Sequence, residues 1–262
     1  MIDFPHIKPY LLKIGIVEIR WYGLMYLLGF ISSFILVHYQ IRKKKLKIES
    51  QFVEEFYFYI IVGLVVGARV GYVLFYNIEY YIQNPLEIIA VWHGGMSFHG
   101  GLIGTILSGM YIANKRSVKF LLIADRVIIT APIGLGLGRI GNFINGELYG
   151  RVTSLPWGMV FPGTDGQPRH PSQLYEAFLE GPVLFIILWI LKERFKTNGE
   201  GISYFLIFYG TIRFTIEFFR QPDVQVGFIF HFLTMGQILS AFMIAVGIGM
   251  FKYIKPPKRH KR

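Results

Sequence analysis

The sequence predicts an all-α fold: a polytopic bundle of seven transmembrane helices, with a small irregular region on its outward face. Three observations predict it. Of the 262 residues, 53% belong to the set AVILMFWYC and 16% are charged, against about 25% charged in an ordinary soluble domain. The mean hydropathy is +0.46. The apolar residues collect in long runs, with no low-complexity segments between them. The chain has no cysteine, which excludes a disulfide scaffold, a Cys-based zinc site, an Fe–S cluster and a nucleophilic thiol of its own.

The runs cover about 17–40, 53–76, 97–113, 120–138, 173–191, 201–218 and 235–254, and residues 1–262 read as one integral membrane domain. A hydrocarbon core of about 30 Å requires about 20 helical residues. Most runs meet that, and the third and fifth are the shortest. The start, MIDFPHIKPYLLKIG, lacks the basic opening and cleavage site of a signal peptide. The first run is therefore expected to stay in the protein as a span. Residues 77–92 mix apolar and aromatic residues with two Glu and two Asn. They suit a short helix in the interface, with Trp92 and the tyrosines at headgroup depth. Residues 138–171 form the longest non-apolar stretch and the natural place for chemistry.

The formal charge of +11 would ordinarily raise a nucleic acid as partner. Its distribution points elsewhere. Seventeen of the 27 basic residues fall in three alternate linkers, after the first, third and fifth runs, and in the tail. By the positive-inside rule these segments face the cytoplasm. The amino terminus is then outside and the carboxyl terminus inside, which demands an odd number of spans. The Lys clusters are short and scattered, so no nucleic-acid partner is expected.

Several charges stand within or at the edges of the runs: Arg69, Asp125, Arg126, Glu176, Glu180, Arg213 and Glu217. A charge near the bilayer centre costs roughly 2.5–3.5 kcal/mol, so it turns to a protein interior or a wet cavity. Asp125 and Arg126 suit snorkelling or a structural pair. Arg213 and Glu217, four apart, share a helix face; they read either as a structural pair or as part of a site. Arg139 and Arg213 both fall toward the outer half of the membrane, at the phosphate level of lipid. Arg suits that task because its planar fork binds phosphate oxygens bidentately and stays charged.

The segment GRIGNFINGE (138–147) sets three glycines among Arg139, Asn142, Asn145 and Glu147. As a loop following a helix it reads as a cradle for an anionic headgroup, the alternative being a plain Gly/Asn turn. Ala68-Arg69-Val70-Gly71-Tyr72 echoes Gly138-Arg139-Ile140-Gly141-Asn142, a faint sign of a repeat. WHGGMSFHGG (92–101) puts His99 on the first turn of the third run. Histidine suits proton transfer near neutrality, although a lone interfacial His is often only polar filling. His93 reads as structural, and two His six apart make no metal site. Tyr22 and Tyr209 suit membrane anchoring; Tyr209 also lies one turn from Arg213.

Four motifs then point to a family. HGGL (99–102), GRIGNFINGELYGR (138–151), RHPSQLYE (169–176) and EFFRQPD (217–223) together resemble the bacterial prolipoprotein diacylglyceryl transferases, from about Trp21 to Leu239. The resemblance implies an inner-membrane enzyme with seven spans and its active site toward the outer side. Such an enzyme moves the diacylglyceryl group of phosphatidylglycerol onto the lipobox cysteine of a preprolipoprotein, leaving a thioether and glycerol phosphate. It implies catalytic roles for His99, Arg139 and Arg213. It places Tyr22, Asn142, Glu147, Gly150, Tyr209 and Glu217 around the headgroup; Asn145 and Arg220 complete the expected substrate-binding set. The outward loop after Arg151 is compact, about twenty residues to His170, and His93 stands where relatives often carry an acid.

The chemistry is an alkyl transfer at the glycerol carbon bearing the phosphate. Only a thiolate is a strong nucleophile, and this chain has no cysteine, so the sulfur must arrive with the peptide. His99, directly or through a Tyr hydroxyl, is the expected base. No metal or cofactor is needed. The rival classes are a lipid transporter or flippase, which would move lipid without a covalent product, and a non-catalytic assembly factor.

Overall fold

Helical stretches follow the apolar runs, because in lipid a helix satisfies its own backbone within one segment. The computed structural model describes all residues except Met1, His6, Ile16, 223–226, 230–232 and 255–262. Asp223 of EFFRQPD and five of the six cationic residues of the tail, Lys255 to Arg262, lie outside the described residues. The helices are α1 (Trp21–Lys43), α2 (Ser50–Tyr76), α3 (Ile78–Gln83), α4 (Phe98–Lys115), α5 (Phe120–Ile144), α6 (Ser172–Phe178), α7 (Leu184–Leu191), α8 (Glu200–Ile216) and α9 (Met235–Tyr253). A π-helical turn, Leu179–Val183, joins α6 to α7 around Gly181 and Pro182.

Five helical stretches among the described residues are long and apolar enough to cross a membrane: α1, α2, α5, Ser172–Arg194 and α9. Two other expected spans correspond to shorter or less apolar helices. The 18 residues of α4 include His99 and four glycines. The 17 residues of α8 reach only about 26 Å at 1.5 Å per residue, and they carry Glu200 and Arg213.

Three local expectations are corrected. The first helix begins at Trp21, because Val17–Arg20 forms strand β3, paired antiparallel with β2 (Tyr10–Ile14). Residues 77–92 are not one interfacial helix. They break into α3 and two 3-10 turns, Pro85–Ile89 and Val91–His93, since Pro85 has no N–H to continue α3. The segment from Gly138 to Ile144 is the end of α5 and not a loop; the chain turns only at Gly146, where φ is +68°. Glycines cost a helix about 1 kcal/mol each, but Gly141 packs its bare Cα against the Tyr22 ring, 2.9 Å from where a Cβ would stand. The fold is also not purely helical. Strands β1 (Ile2–Asp3) and β4 (Met159–Val160) pair in parallel, and β5 (Phe228–Ile229) pairs antiparallel with β6 (Leu233–Thr234).

The chain forms two compact units, residues 38–123, and residues 1–37 with 124–262. In the 38–123 unit, α2 packs along α4 at backbone contact. A Cβ on Gly67 would lie 2.4 Å from the Gly100 carbonyl oxygen, and one on Gly104 would lie 2.0 Å from that of Gly63. Glycines four apart on α2 (Gly63, Gly67, Gly71) give the small-residue face that lets membrane helices approach closely.

The other unit has an apolar core of Ile129, Leu184, Leu188 and Phe205 and an aromatic core of Phe4, Phe143 and Phe161. Asp125 belongs to neither a snorkelling group nor a simple pair. Its carboxylate accepts the Gly199 and Ile202 N–H groups at 2.6 and 3.0 Å, capping the start of α8 where the orphan N–H groups point outward from the helix end.

Candidate functional site

In the larger unit, three guanidiniums and three carboxylates meet inside the protein. Arg139 comes from the last turns of α5, Glu176 from α6, and Glu180 from the π-helical turn, a feature that recurs at functional sites. Arg213 comes from α8; Glu217 and Arg220 follow just beyond its end. Glu176 and Glu180 are fully buried, so arginines and hydrogen bonds must stand where water would.

Glu176 is the hub. Its Oε1 accepts hydrogen bonds from Arg213 and Arg220, both at 3.0 Å, and its Oε2 lies 3.3 Å from the Arg139 Nε. Arg139 donates from the same nitrogen to Glu180 at 3.2 Å. Arg213 also pairs with Glu217 at 2.7 Å, one turn along. Thr234 donates its hydroxyl to Glu217 at 3.0 Å while accepting from the Gln237 N–H, so the cap of α9 also anchors the cluster. The Arg213–Glu217 pair expected from spacing is present, and it is one edge of a larger network.

A second polar group sits where α5 ends. Asn142 and Asn145 both donate to Glu147 Oε1, at 2.8 and 3.2 Å, and Gln173 donates to the Glu147 carbonyl at 2.7 Å. The segment Tyr149–Arg151 is laced to two others by backbone bonds. Gly150 N–H donates to the His170 carbonyl at 2.8 Å, and Arg151 N–H to that of Phe219 at 2.9 Å. Gly150 must be glycine for this crossing: a Cβ would stand 2.5 Å from the Phe219 oxygen and 2.6 Å from the His170 Cβ. Arg151 also donates to the carbonyls of Arg220 and Glu217. His170 packs edge-on against Phe219 and Tyr175, and its partial burial lowers its pKa.

The remaining predicted residues are placed as follows. The Tyr22 hydroxyl lies 3.1 Å from that of Tyr26, on α1. The Tyr209 ring stacks on Phe205 and packs against the apolar core. His99 belongs to the other unit. It is exposed on the first turn of α4, its ring beside Phe98. The structure thus brings Arg139, Arg213, Glu217 and Arg220 into one cluster, and Asn142, Asn145 and Glu147 into its neighbour. Sequence reasoning missed Glu176, Glu180 and Arg151 as site residues. The signal for the first two was available: carboxylates four apart within an apolar run.

Arg69, the counterpart of Arg139 in the sequence echo, does something else. It is buried in the 38–123 unit and donates to four carbonyls: Ile88 at 2.9 Å, Gly95 at 3.1 Å, and those of Gly94 and Glu87.

An apolar chain with five membrane-length helices, holding three arginines and three glutamates in its interior, is a multi-pass membrane protein whose charged interior suits an ionic ligand. The comparisons narrow that class. The family model for prolipoprotein diacylglyceryl transferase matches residues 9–253. A phosphatidylglycerol–prolipoprotein diacylglyceryl transferase of Geobacter sulfurreducens is 51% identical over 248 residues, 95% of each chain. One of Desulfotalea psychrophila is 50% identical over 94% of this chain and 93% of its own. One of Nitratidesulfovibrio vulgaris is 45% identical over 96% of each. The chain belongs to the prolipoprotein diacylglyceryl transferase family.

Proposed function

We propose that the chain transfers the diacylglyceryl group of phosphatidylglycerol to a cysteine thiol of a prolipoprotein, the first step of lipoprotein lipidation. Relatives similar over 95% of both chains carry this activity in their names. One structural observation supports the site reading above the others: Arg139 and Arg213, from different helices, converge on the buried Glu176.

In the transfer, the sulfur of the peptide forms a bond to the glycerol carbon and the bond from that carbon to the phosphate oxygen breaks. The electron pair leaves with glycerol phosphate, and the thiol proton goes to a base. Arg139 and Arg213 meet the charge that develops on the phosphate. Because they also bind the phosphodiester before reaction, part of their effect falls on lipid affinity. Glu176 and Glu180 hold the guanidinium forks in orientation until the phosphate takes up their donors.

Arg220, Glu217, Tyr209 and Tyr22 border the headgroup, with Asn142, Asn145, Glu147 and the Gly150 crossing on the glycerol side. His99 is the base for the thiol. The lipobox cysteine enters with the hydrophobic signal segment of the preprolipoprotein, and the scheme uses no cofactor. Adding α4 and α8 to the five membrane-length helices gives seven spans. The amino terminus then faces outward and the carboxyl terminus the cytoplasm, in the bacterial inner membrane with the site toward its outer side. The 17 basic residues in alternate segments support this orientation.

The test is direct. Purified protein is incubated with phosphatidylglycerol and a lipobox peptide, and the peptide is weighed. A gain of one diacylglyceryl unit, absent when serine replaces the peptide cysteine, supports the reading. Movement of labelled lipid without a covalent product would replace it with a flippase.

A further inference from the structure

We infer that Arg69 is a positioning residue for His99: it holds the loop that leads into α4, and so fixes where the His99 imidazole stands. The inference rests on the proposed role of His99 as base and deepens it.

The placement comes from contacts inside the 38–123 unit. Arg69 lies on α2 and is 4% exposed. Its Nε donates to the Ile88 carbonyl at 2.9 Å, its NH1 to Gly94 and Gly95, and its NH2 to Glu87. Its guanidinium also lies 5.1 Å from the centre of the Tyr81 ring. Among the described residues it makes no ion pair; the Glu87 carboxylate pairs instead with His93, at 2.8 Å. A guanidinium has five donors in a rigid fork, and here the fork gathers carbonyls from both ends of the segment 87–95. No other side chain could do this with one residue: a lysine has three donors on a single point charge.

The same turn of α2 pins the start of α4. The Ala68 carbonyl, one residue before Arg69, accepts the Ser97 N–H at 2.9 Å. Ser97 caps α4 through its hydroxyl, which accepts the Gly100 N–H at 3.3 Å. Gly100 in turn touches Gly67 and Gly71. His99 stands between the cap and that contact. It has no side-chain hydrogen bond of its own among the described residues, so its position is set by the backbone that carries it. Arg69 at one end and Gly67–Gly71 at the other fix that backbone.

The experiment compares the transfer rates of Arg69→Lys and His99→Gln with the wild type, from neutral pH to about 9.5. Above a free thiol's value near 8.5, the peptide ionises unaided and the base matters less. A base that is removed or displaced by about an ångström should cost roughly a hundredfold near neutrality. The expected result is that R69K lowers kcat at neutral pH with the lipid KM unchanged, and that its deficit shrinks at high pH in step with that of H99Q. Glu87 and His93 are the other titratable groups in this loop, so the profile is repeated in H93Q, which should match the wild type. A deficit in R69K that stays constant with pH while that of H99Q shrinks overturns the positioning role and leaves the base in place. A constant deficit in H99Q overturns the base, and the present inference with it. Should R69K not fold, Ser97→Ala loosens the same junction and must show the same pH-dependent deficit, at smaller amplitude; a pH-independent one counts against the inference.

Discussion

Two arginines that each stand two residues before a glycine, Arg69 in ARVGY and Arg139 in GRIGN, have opposite kinds of partner. Arg69 spends its donors on four backbone carbonyls of one loop. Arg139 faces two carboxylates, Glu176 and Glu180, from a helix and a π-helical turn. Carbonyls are fixed dipoles of the chain, and an arginine that leaves them unmakes the loop. An arginine that faces side-chain carboxylates can turn a donor to a phosphate without breaking a backbone hydrogen bond. An arginine buried in an apolar chain thus takes its role from what it finds opposite it, and the residues beside it in sequence do not disclose which role that is.

The connecting segments differ in the same way. The segment 87–95 has both its ends gathered by one side chain, Arg69. The segment 147–170 is laced by backbone pairing, to itself where Gly150 and Arg151 meet His170, and to the stretch after α8 through Tyr149, Gly150 and Arg151. Removing one side chain should therefore loosen the whole of the first segment and leave the pairing of the second in place.

The comparison predicts, first, that Arg139→Gln abolishes transfer by about a thousandfold, within the range for loss of a preorganised charge-stabilising donor. Turnover measured by peptide mass, together with retention of the folded state, checks it. Glu176→Gln should come next: it takes the shared counter-charge from three arginines and should lower unfolding free energy by about 3 kcal/mol, seen as a fall in melting midpoint and denaturant resistance. Arg69→Ala should cost about 2 kcal/mol, as four carbonyls lose charge-assisted donors, with new protease cleavage confined to 85–95. Were Arg139→Gln to open that loop, or Arg69→Ala to spare it, the contrast between the two arginines would be lost.

Gly150→Ala should destabilise by about 1–2 kcal/mol through overpacking at the crossing. The smallest effect is a pH dependence. Burial lowers the His170 pKa in the folded state, so the unfolded chain takes up the proton first as pH falls below about 6.5. The stability contribution is whole above that value and is lost as pH falls through the folded pKa. His170→Gln should flatten this slope in melting midpoints recorded across mildly acid pH.

Much of this was legible in the sequence. Apolar runs of about twenty residues mark membrane-length helices because a helix of that length crosses the hydrocarbon core with its backbone satisfied. Arg139 and Arg213 stood out by their depth, and four motifs carried the family. What was not legible was set by distant parts of the chain. The partners of Arg139 lie on a helix and turn more than thirty residues further on, and nothing local announces them. Glu176 and Glu180 were visible as misplaced charges, but not as the partners of Arg139. GRIGNFI looks like a loop because glycine is a poor helix former; the ring of Tyr22, far away in sequence, favours the helix. Val17–Arg20 is too short an alternation to be told from the apolar run it adjoins. The break at Pro85, in contrast, was written in the residue itself.

The central claim is that this chain makes a thioether between diacylglycerol and a peptide cysteine, and that Arg139 serves that reaction. Mass spectrometry of a lipobox peptide incubated with phosphatidylglycerol, with wild-type protein and Arg139→Gln side by side, addresses both halves. The account predicts a single diacylglyceryl increment with the wild type and almost none with the folded variant. An unmodified peptide from folded wild-type protein, or an equal increment from the variant, would contradict it.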